Sequence, residues 1–355
     1  MMATKDEKIV LYGATGNTGE LVARELVRRG CRPMLGGRSE EKLSALAEEL
    51  GLEYRAAAVD DGPGLDELIA GASVVISCAG PFVDVGRPVA EAAIRHGAHY
   101  VDTTGEQAYM RVLSEELSGE AKEKGVVLLP ACAFEFALGD LAAEIGWVQG
   151  ASRIAVAYVV DDFTMSQGTK KSLVRSFGEK GLTFVDGELQ EKRVGYRLFD
   201  VPLPGGEKRK AAWVPGGEAL TVPPRGGVSR VETCIAAGDG AAFLVGTLSG
   251  VLPSVLRMMQ PLADKVVERG EGPPREVAEE EVFYVVAFDP KDGKAYATIR
   301  GLDIYGVTAR VVSESVEYLC REEPKKKGFV GAADLFDAEE FLESVGVELL
   351  EKEER

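Results

Sequence analysis

Near the start of the chain, "GATGNTG" places Gly13, Gly16 and Gly19 three residues apart, after an apolar run and before a helix-like pattern. A glycine-rich loop between strand and helix lets backbone N–H groups approach a diphosphate, and the helix start behind it favours negative charge. Gly13 would allow the tight turn, Gly16 the close approach and Gly19 the packing of helix on strand. Thr15, Asn17 and Thr18 complete the loop, and Asn17, with Glu20 three positions on, is the expected helix cap. The spacing is Gly-x-x-Gly-x-x-Gly, not the dehydrogenase Gly-x-Gly-x-x-Gly. A plain turn is the competing reading, and the strand–loop–helix context favours the dinucleotide.

The second strand tells which dinucleotide. An NAD site needs an acidic residue at that strand's end to grip the ribose 2′-hydroxyl. Here "LGGRSEEK" offers glycines and then Arg38 and Ser39. A guanidinium pairs with a 2′-phosphate where a carboxylate would repel it. Arg38 could otherwise simply decorate a helix start, where a cation is mildly unfavourable. NADP(H) is therefore the expected cofactor.

Other strand ends fall where such a cofactor would lie. Asp60 either meets the adenine edge or caps the next turn. In "SCAGPF", Cys78, Ala79 and Gly80 would pass the nicotinamide ribose, with Pro81 and Phe82 as an apolar wall. Cys78 reads as a small core residue because no base stands beside it. Asp102, Thr104 and Glu106 in "VDTTGE" either orient the nicotinamide or substrate or cap the helix from Gln107. Hydride transfer also calls for a proton donor. Tyr109, Ser166, Lys170, Lys171 and Tyr305 are candidates, none of them in a Tyr-x-x-x-Lys arrangement. The polar stretch "SQGTKKS" with Gln167, Thr169 and Lys170 is the densest group, although a lysine pair is usually a solvated face.

The elements that must position these residues alternate. "IVLYG", "RPMLGG", "YRAAAVD", "SVVISCAG", "HYVDTTG" and "VVLLPA" read as strands separated by amphipathic helices, the pattern of a doubly wound parallel sheet. In the first helix Leu21, Val22, Leu26 and Val27 share a face and Gly30 is the stop; in the second, Leu43, Leu46 and Leu50 precede Gly51. Beyond residue 150 the runs 153–163, 230–237, 281–289 and 295–306 suggest a mainly antiparallel sheet in an α+β domain, with "PLPGGEKRK" and "PGGEALTVPPRGG" as connectors. The fold class is thus α/β with a second α+β domain, divided as 1–150 and 151–333. A C-terminal helix over 334–355, with Asp337 as cap and Phe336 opposite Phe341, is expected to pack back on the first domain.

Composition bounds the rest. With 355 residues and a formal charge of −17, two domains are expected and nucleic acid is not an expected partner. The five cysteines (31, 78, 132, 234 and 320) are unpatterned, and His96 and His99 are the only histidines, so neither a disulfide frame nor a metal site is expected. No signal peptide stands at the start, and a cytoplasmic location is the default. The uncharged stretch 241–256 is too short and too interrupted by Gly246, Gly250 and Pro253 to span a membrane. It reads as buried core, or as a wall touching a lipid-like substrate or a membrane surface.

Taken in order, "KIVLYGATGNTG", "GGRSEEKL", "VVISCAGPF", "HGAHYVDTTGE" and "LPACAFEFALGDLAA" resemble the NADP-binding domain of the saccharopine dehydrogenase-like superfamily. "GTKKSL", "GEGPPR", "RGLDIYGVTARVVSESVEYL" and "GAADLFDAEEFLESVG" look like the branch holding trans-acting enoyl reductases and saccharopine dehydrogenase-like oxidoreductases. The resemblance implies a Rossmann domain, a following α+β domain, a substrate between them and a homodimer. It places Gly13, Thr15, Gly16, Asn17, Thr18 and Gly19 at the diphosphate, Arg38 and Ser39 at the 2′-phosphate, and Gly80, Pro81 and Phe82 near the nicotinamide. One departure stands out: a Pro-Ser-Asp-like turn is replaced by "FEFALGD", in which Asp140 alone is kept. The leading expectation is an NADPH-dependent reductase of a polarised C=C in an apolar, lipid-like substrate. A C=N reductase using Arg153, Arg175 or Arg193 for substrate carboxylates is the alternative, and a non-catalytic NADP-binding regulator is a third.

Overall fold

The computed structural model describes residues 7–160, 180–237 and 282–352. The expectations for Ser166, Gln167, Thr169, Lys170, Lys171, Arg175 and the stretch 241–256 lie outside those residues. The chain divides into two compact units, residues 1–133 with 308–335, and residues 134–307 with 336–355.

The first unit is built on parallel strands β1 (Ile9–Tyr12), β2 (Met34–Gly37), β3 (Tyr54–Ala56), β4 (Val74–Ser77), β5 (His99–Asp102) and β6 (Val127–Leu129). Their order is β6-β5-β4-β1-β2-β3, extended beyond β6 by the short parallel strand Gly328–Phe329. That is the dinucleotide-binding order, with its reversal point between β1 and β4. β1 and β4 are buried along their whole length, as continuous apolar runs covered by helices on both faces must be. Helices α1 (Asn17–Arg28), α2 (Glu40–Leu50), α3 (Gly62–Ile69) and α4 (Phe82–Arg95) connect them. α1 buries Gly19, Val22, Ala23 and Leu26, one stripe at helical spacing, and α2 ends on left-handed Gly51. Helices α5 (Gln107–Val112) and α6 (Ser118–Glu123), joined by a wide turn, lead into β6.

The second unit has α7 (Ala137–Val148) against a mixed sheet of β7 (Arg153–Val160), β8 (Lys180–Val185), β9 (Glu188–Arg193), β10 (Leu198–Pro202), β11 (Lys208–Trp213), β12 (Arg230–Ala237), β13 (Val282–Phe288) and β14 (Ala295–Leu302). A short helix α8 (Glu218–Thr221) interrupts the stretch read as a connector. β7 and β12 are parallel, and the other described pairings in this sheet are antiparallel. Trp213, Phe199, Phe288 and Val286 anchor its core.

Two boundaries differ from expectation. α7 lies with the second sheet, packing on β7, β13 and β14, so the first unit ends at Ala133 and not near 150. α7 is buried nearly all round, which removes the periodicity that would show the layer it serves. Downstream, helix α9 (Ile304–Arg321) enters the first unit from Thr308, where Cys132 meets Ser315 (3.2 Å) and Arg29 pairs with Glu314 (2.6 Å). The C-terminal segment does not pack back as one helix. Helix α10 (Ala338–Ser344) ends before left-handed Gly346, and strand β16 (Glu348–Lys352), which follows the short strand β15 (Gly328–Phe329), pairs antiparallel with β14 of the second sheet. Glycine at that φ stops the helix, and the β-branched Val347 after it suits an extended chain.

Candidate cofactor site

The glycine loop is shaped by backbone contacts. Gly13 is left-handed (φ +79°), and a Cβ there would stand 2.7 Å from the Ala79 nitrogen. The N–H groups of Gly13 and Ala14 both reach the Gly36 carbonyl (2.9 and 3.2 Å), tying the loop to the end of β2. A Cβ on Gly19 would strike the Gly13 carbonyl and stand 2.9 Å from Ala14 Cα. Gly16 differs: its φ is ordinary (−80°), it is exposed, and its nearest neighbour would be Gly13 O at 3.4 Å. Gly16, not Asn17, is the N-cap of α1, and no side chain caps the helix; Glu20 turns to Arg24 instead (2.8 Å). Among the described residues, no acceptor takes the backbone N–H groups of Thr15, Asn17, Thr18 or Gly19. The start of a twelve-residue helix thus presents three such donors, with Thr15 N just ahead of them, beside an exposed glycine.

At the end of β2, Arg38 is exposed and makes no ion pair among the described residues. Ser39 begins α2, but its hydroxyl does not cap that helix. No carboxylate occupies the place an NAD ribose would need. Asp60 is exposed, and the capping role read as its alternative belongs to Asp61, which accepts from Gly64 N (3.1 Å).

Beyond β4, Cys78 is half-buried, and burial pushes its thiol up to about 12, so it is no nucleophile. Ala79 and Pro81 are partly exposed, Gly80 is exposed, and Phe82 turns inward against Tyr109 (ring centroids 5.7 Å apart). Here two of the expected site residues are fully buried. Asp102 is fully buried, and its Oδ1 accepts from Thr104 N and Ala131 N, both at 2.9 Å. It fastens two loops. Burial raises its carboxyl to about 7, and neither its Oδ2 nor the neighbouring Ser77 hydroxyl has a hydrogen-bond partner among the described residues. Tyr109, expected as a proton donor, is also fully buried: its hydroxyl meets that of Tyr100 (2.9 Å) and its ring fills the space left by Gly86. It offers nothing to solvent. Thr104 Oγ1 accepts from Glu106 N (3.0 Å), and Glu106 in turn takes the N–H groups of Phe82 and Val83, each at 3.0 Å. Glu106 thus occupies the N-cap position of the helix from Gln107, while its side chain caps α4 instead.

In the second unit Tyr305 is buried in the first turn of α9. Asp140 is committed to Thr221 and Arg225 (2.6 Å each), a structural use of the one residue kept from the altered turn. Arg153 is held by Asp289 (2.5 Å) and Arg193 is exposed on β9, so these two do not gather into a carboxylate pocket. The sequence reading missed a buried acid. Glu218 accepts from Tyr158 (2.5 Å) and Thr233 (2.7 Å), and burial raises its carboxyl to about 7. Tyr158 also receives the N–H of Phe136 (2.7 Å), which holds an unusual φ of +66° at the start of α7. The available signal was one acid in the otherwise uncharged run "WVPGGEALTVPP". Desolvation likewise raises Glu135, beside Phe136, to about 7.

Residues 9–129 match the model of the saccharopine dehydrogenase NADP binding domain. That stretch of the chain is a domain of the saccharopine dehydrogenase NADP-binding type. It is 27% identical over 244 residues to the human saccharopine dehydrogenase-like oxidoreductase, covering 60% of this chain and 54% of that one. It is 35% identical over 146 residues to the lipid droplet localized protein of Caenorhabditis elegans, covering 38% of this chain and 34% of that protein. A third relative, 35% identical over 149 residues (40% of this chain, 36% of that one), is a Mycobacterium tuberculosis protein provisionally named a trans-acting enoyl reductase. The chain spans about half the length, or less, of these curated relatives. The solved apo saccharopine dehydrogenase (L-Glu forming) of Saccharomyces cerevisiae superposes on 97% of this chain and 99% of its own, with a TM-score of 0.61 at 13% identity, a likeness of fold.

NADP(H) is the cofactor of this saccharopine dehydrogenase-type domain. The residues present fit it: open N–H groups at Thr15, Asn17, Thr18 and Gly19 suit a diphosphate, and an exposed cation with no ion pair among the described residues at the end of β2 suits a 2′-phosphate. No described helix is long and apolar enough to cross a membrane.

Proposed function

We propose that this chain is an NADPH-dependent oxidoreductase that reduces a polarised C=C of an apolar, lipid-like substrate. The observation that carries the cofactor half of this reading is the set of uncapped N–H groups at Thr15, Asn17, Thr18 and Gly19, with exposed Arg38 at the end of β2. In this reading the loop amides hold the diphosphate, Arg38 and Ser39 take the 2′-phosphate, and Gly80, Pro81 and Phe82 border the nicotinamide end. Bound NADPH supplies the hydride. Exposed Val83 and half-buried Pro81 extend the apolar rim there, which suits an uncharged substrate. The enoyl substrate is supported by the name of the mycobacterial relative, and contact with a lipid surface by that of the nematode one. The resemblance supports a homodimer.

The test is a fluorescence titration with NADPH and NADH, followed by NADPH oxidation against long-chain enoyl thioesters, imines and carbonyls. NADPH is expected to saturate and NADH to bind more weakly. Arg38→Ala should weaken NADPH roughly 10- to 100-fold, the value of a lost charge-assisted pair, and leave NADH unchanged. Equal loss for both carriers would refute the 2′-phosphate assignment, and turnover of imines alone would refute the enoyl one.

A further inference from the structure

In the first unit, two helices start at the reversal point of the sheet, where a crevice for a ligand is expected. α1 follows β1 and α4 follows β4, and the two strands are neighbours. Both helices are long, and each carries the partial positive charge of its first turn toward the carboxyl edge of the sheet. A diphosphate could in principle settle on either. The two starts are not alike.

At α4 every first-turn N–H is used. Phe82 N and Val83 N donate to the two oxygens of Glu106, and Asp84 N and Val85 N donate to the Pro81 carbonyl (3.1 Å each). Glu106 is buried and lies more than twenty residues away in sequence, so this is a tertiary cap. Its own backbone is held by Thr104, and Thr104 by Asp102, which also fixes Ala131. At α1, by contrast, Gly16 is the cap and supplies no side chain.

We propose that Glu106 is a positioning residue: its carboxylate plugs the start of α4, fixes the Gly80–Pro81–Phe82 turn, and leaves the start of α1 as the place for the cofactor's diphosphate. The plug does what a bound anion would do. It satisfies the orphan donors and neutralises the helix end, so that a neutral ring meets this side of the crevice and the charged bridge meets the other. The inference rests on the assignment of Gly80, Pro81 and Phe82 to the nicotinamide end.

The experiment uses the full chain as wild type, Glu106→Ala and Glu106→Gln, with NADPH affinity read by fluorescence and melting temperature read without cofactor. Loss of the plug should weaken NADPH about tenfold or more in Glu106→Ala, the worth of one charge-assisted hydrogen bond or more. Glu106→Gln keeps the volume and one acceptor and should fall between. Acetate, the carboxylate that the truncation removes, should raise the melting temperature of Glu106→Ala and restore most of its NADPH affinity; equal chloride should not. A merely structural role would not give rescue that depends on the carboxylate. NADPH affinity within twofold of wild type in both variants, or a defect indifferent to acetate, overturns the proposal. If Glu106→Ala does not fold, Glu106→Gln decides: wild-type affinity refutes, weakened affinity supports. Should wild type itself fail to bind NADPH, the cofactor reading falls, while the acetate-dependent melting shift still judges the plug.

Discussion

The three loop glycines serve different masters. Gly13 and Gly19 are required by the protein's own backbone, since added carbons would strike Ala79, Ala14 and the Gly13 carbonyl. Gly16 has room for a Cβ and an ordinary φ, so nothing in the fold demands glycine there. Two substitutions separate these cases. Gly19→Ala should destabilise by about 2 kcal/mol or more, because overpacking against backbone cannot relax cheaply, and urea denaturation reads it. Gly16→Ala should leave stability within about 0.5 kcal/mol and yet weaken NADPH at least tenfold, because a methyl on this exposed loop residue would stand between the backbone and a closely held diphosphate. Wild-type NADPH affinity in Gly16→Ala would show that the diphosphate does not rest on this loop. At this scale the sequence was legible wherever a residue type acts locally, as with Gly13, Gly19 and Arg38. It was opaque where the partner is a backbone group far along the chain. Nothing in "VDTTGE" tells that Glu106 binds the amides of Phe82 and Val83, and nothing in "GNTGE" tells that Glu20 prefers Arg24 to the cap.

Elements were legible when their periodicity survived. The parallel strands of the first unit read as uninterrupted apolar runs, and α1 and α2 as stripes ended by glycine. α7 was visible as a helix but not assignable, because Ala, Gly and Leu cover it on all sides and Asp140 hides inside. Its glycines show why the second sheet claims it: Gly139 lies under Tyr158, and Gly146 lies 3.1 Å from the Tyr296 ring as a Cβ would see it. The C-terminal element was half right. Asp337 does cap α10, accepting from Glu339 N and Glu340 N (3.1 Å each), and Phe336 stacks on Phe341 with centroids 4.3 Å apart. The strand after it escaped notice because "GVELLEK" suits either state until a pairing edge is known, and β14 supplies that edge. Asp337→Ala should cost about 1 kcal/mol of stability, a typical cap, with NADPH affinity unchanged because α10 lies in the second unit. A shift in affinity on that substitution would contradict the separation of the two units' roles.

At the scale of the molecule, buried acids set how stability varies with pH. Asp102 in the first unit and Glu218 in the second are each raised to about 7 by burial, against roughly 4 in an unfolded chain. The folded protein therefore keeps protons that the unfolded chain has already released. Their contribution is fully present below about pH 4 and is lost as pH climbs toward 7. His99 acts oppositely: burial lowers it to about 4, so it favours the folded state as pH rises toward its unfolded value near 6.5. With Glu135, also raised to about 7, three acids outweigh one imidazole over pH 4–6.5, and above that range the acids act alone. Stability should thus decline between pH 5.5 and 8.0, most steeply below about pH 6.5 and little above pH 7.5. Glu218→Gln removes one contributor, and its buried position makes the loss sizeable, about 2 kcal/mol over that interval. Denaturation at the two pH values should show wild type losing more stability than Glu218→Gln, with the difference confined to pH below about 7.5. Parallel pH profiles for the two proteins would mean that Glu218 is ionised throughout, and that the hydrogen bonds from Tyr158 and Thr233 outweigh its desolvation.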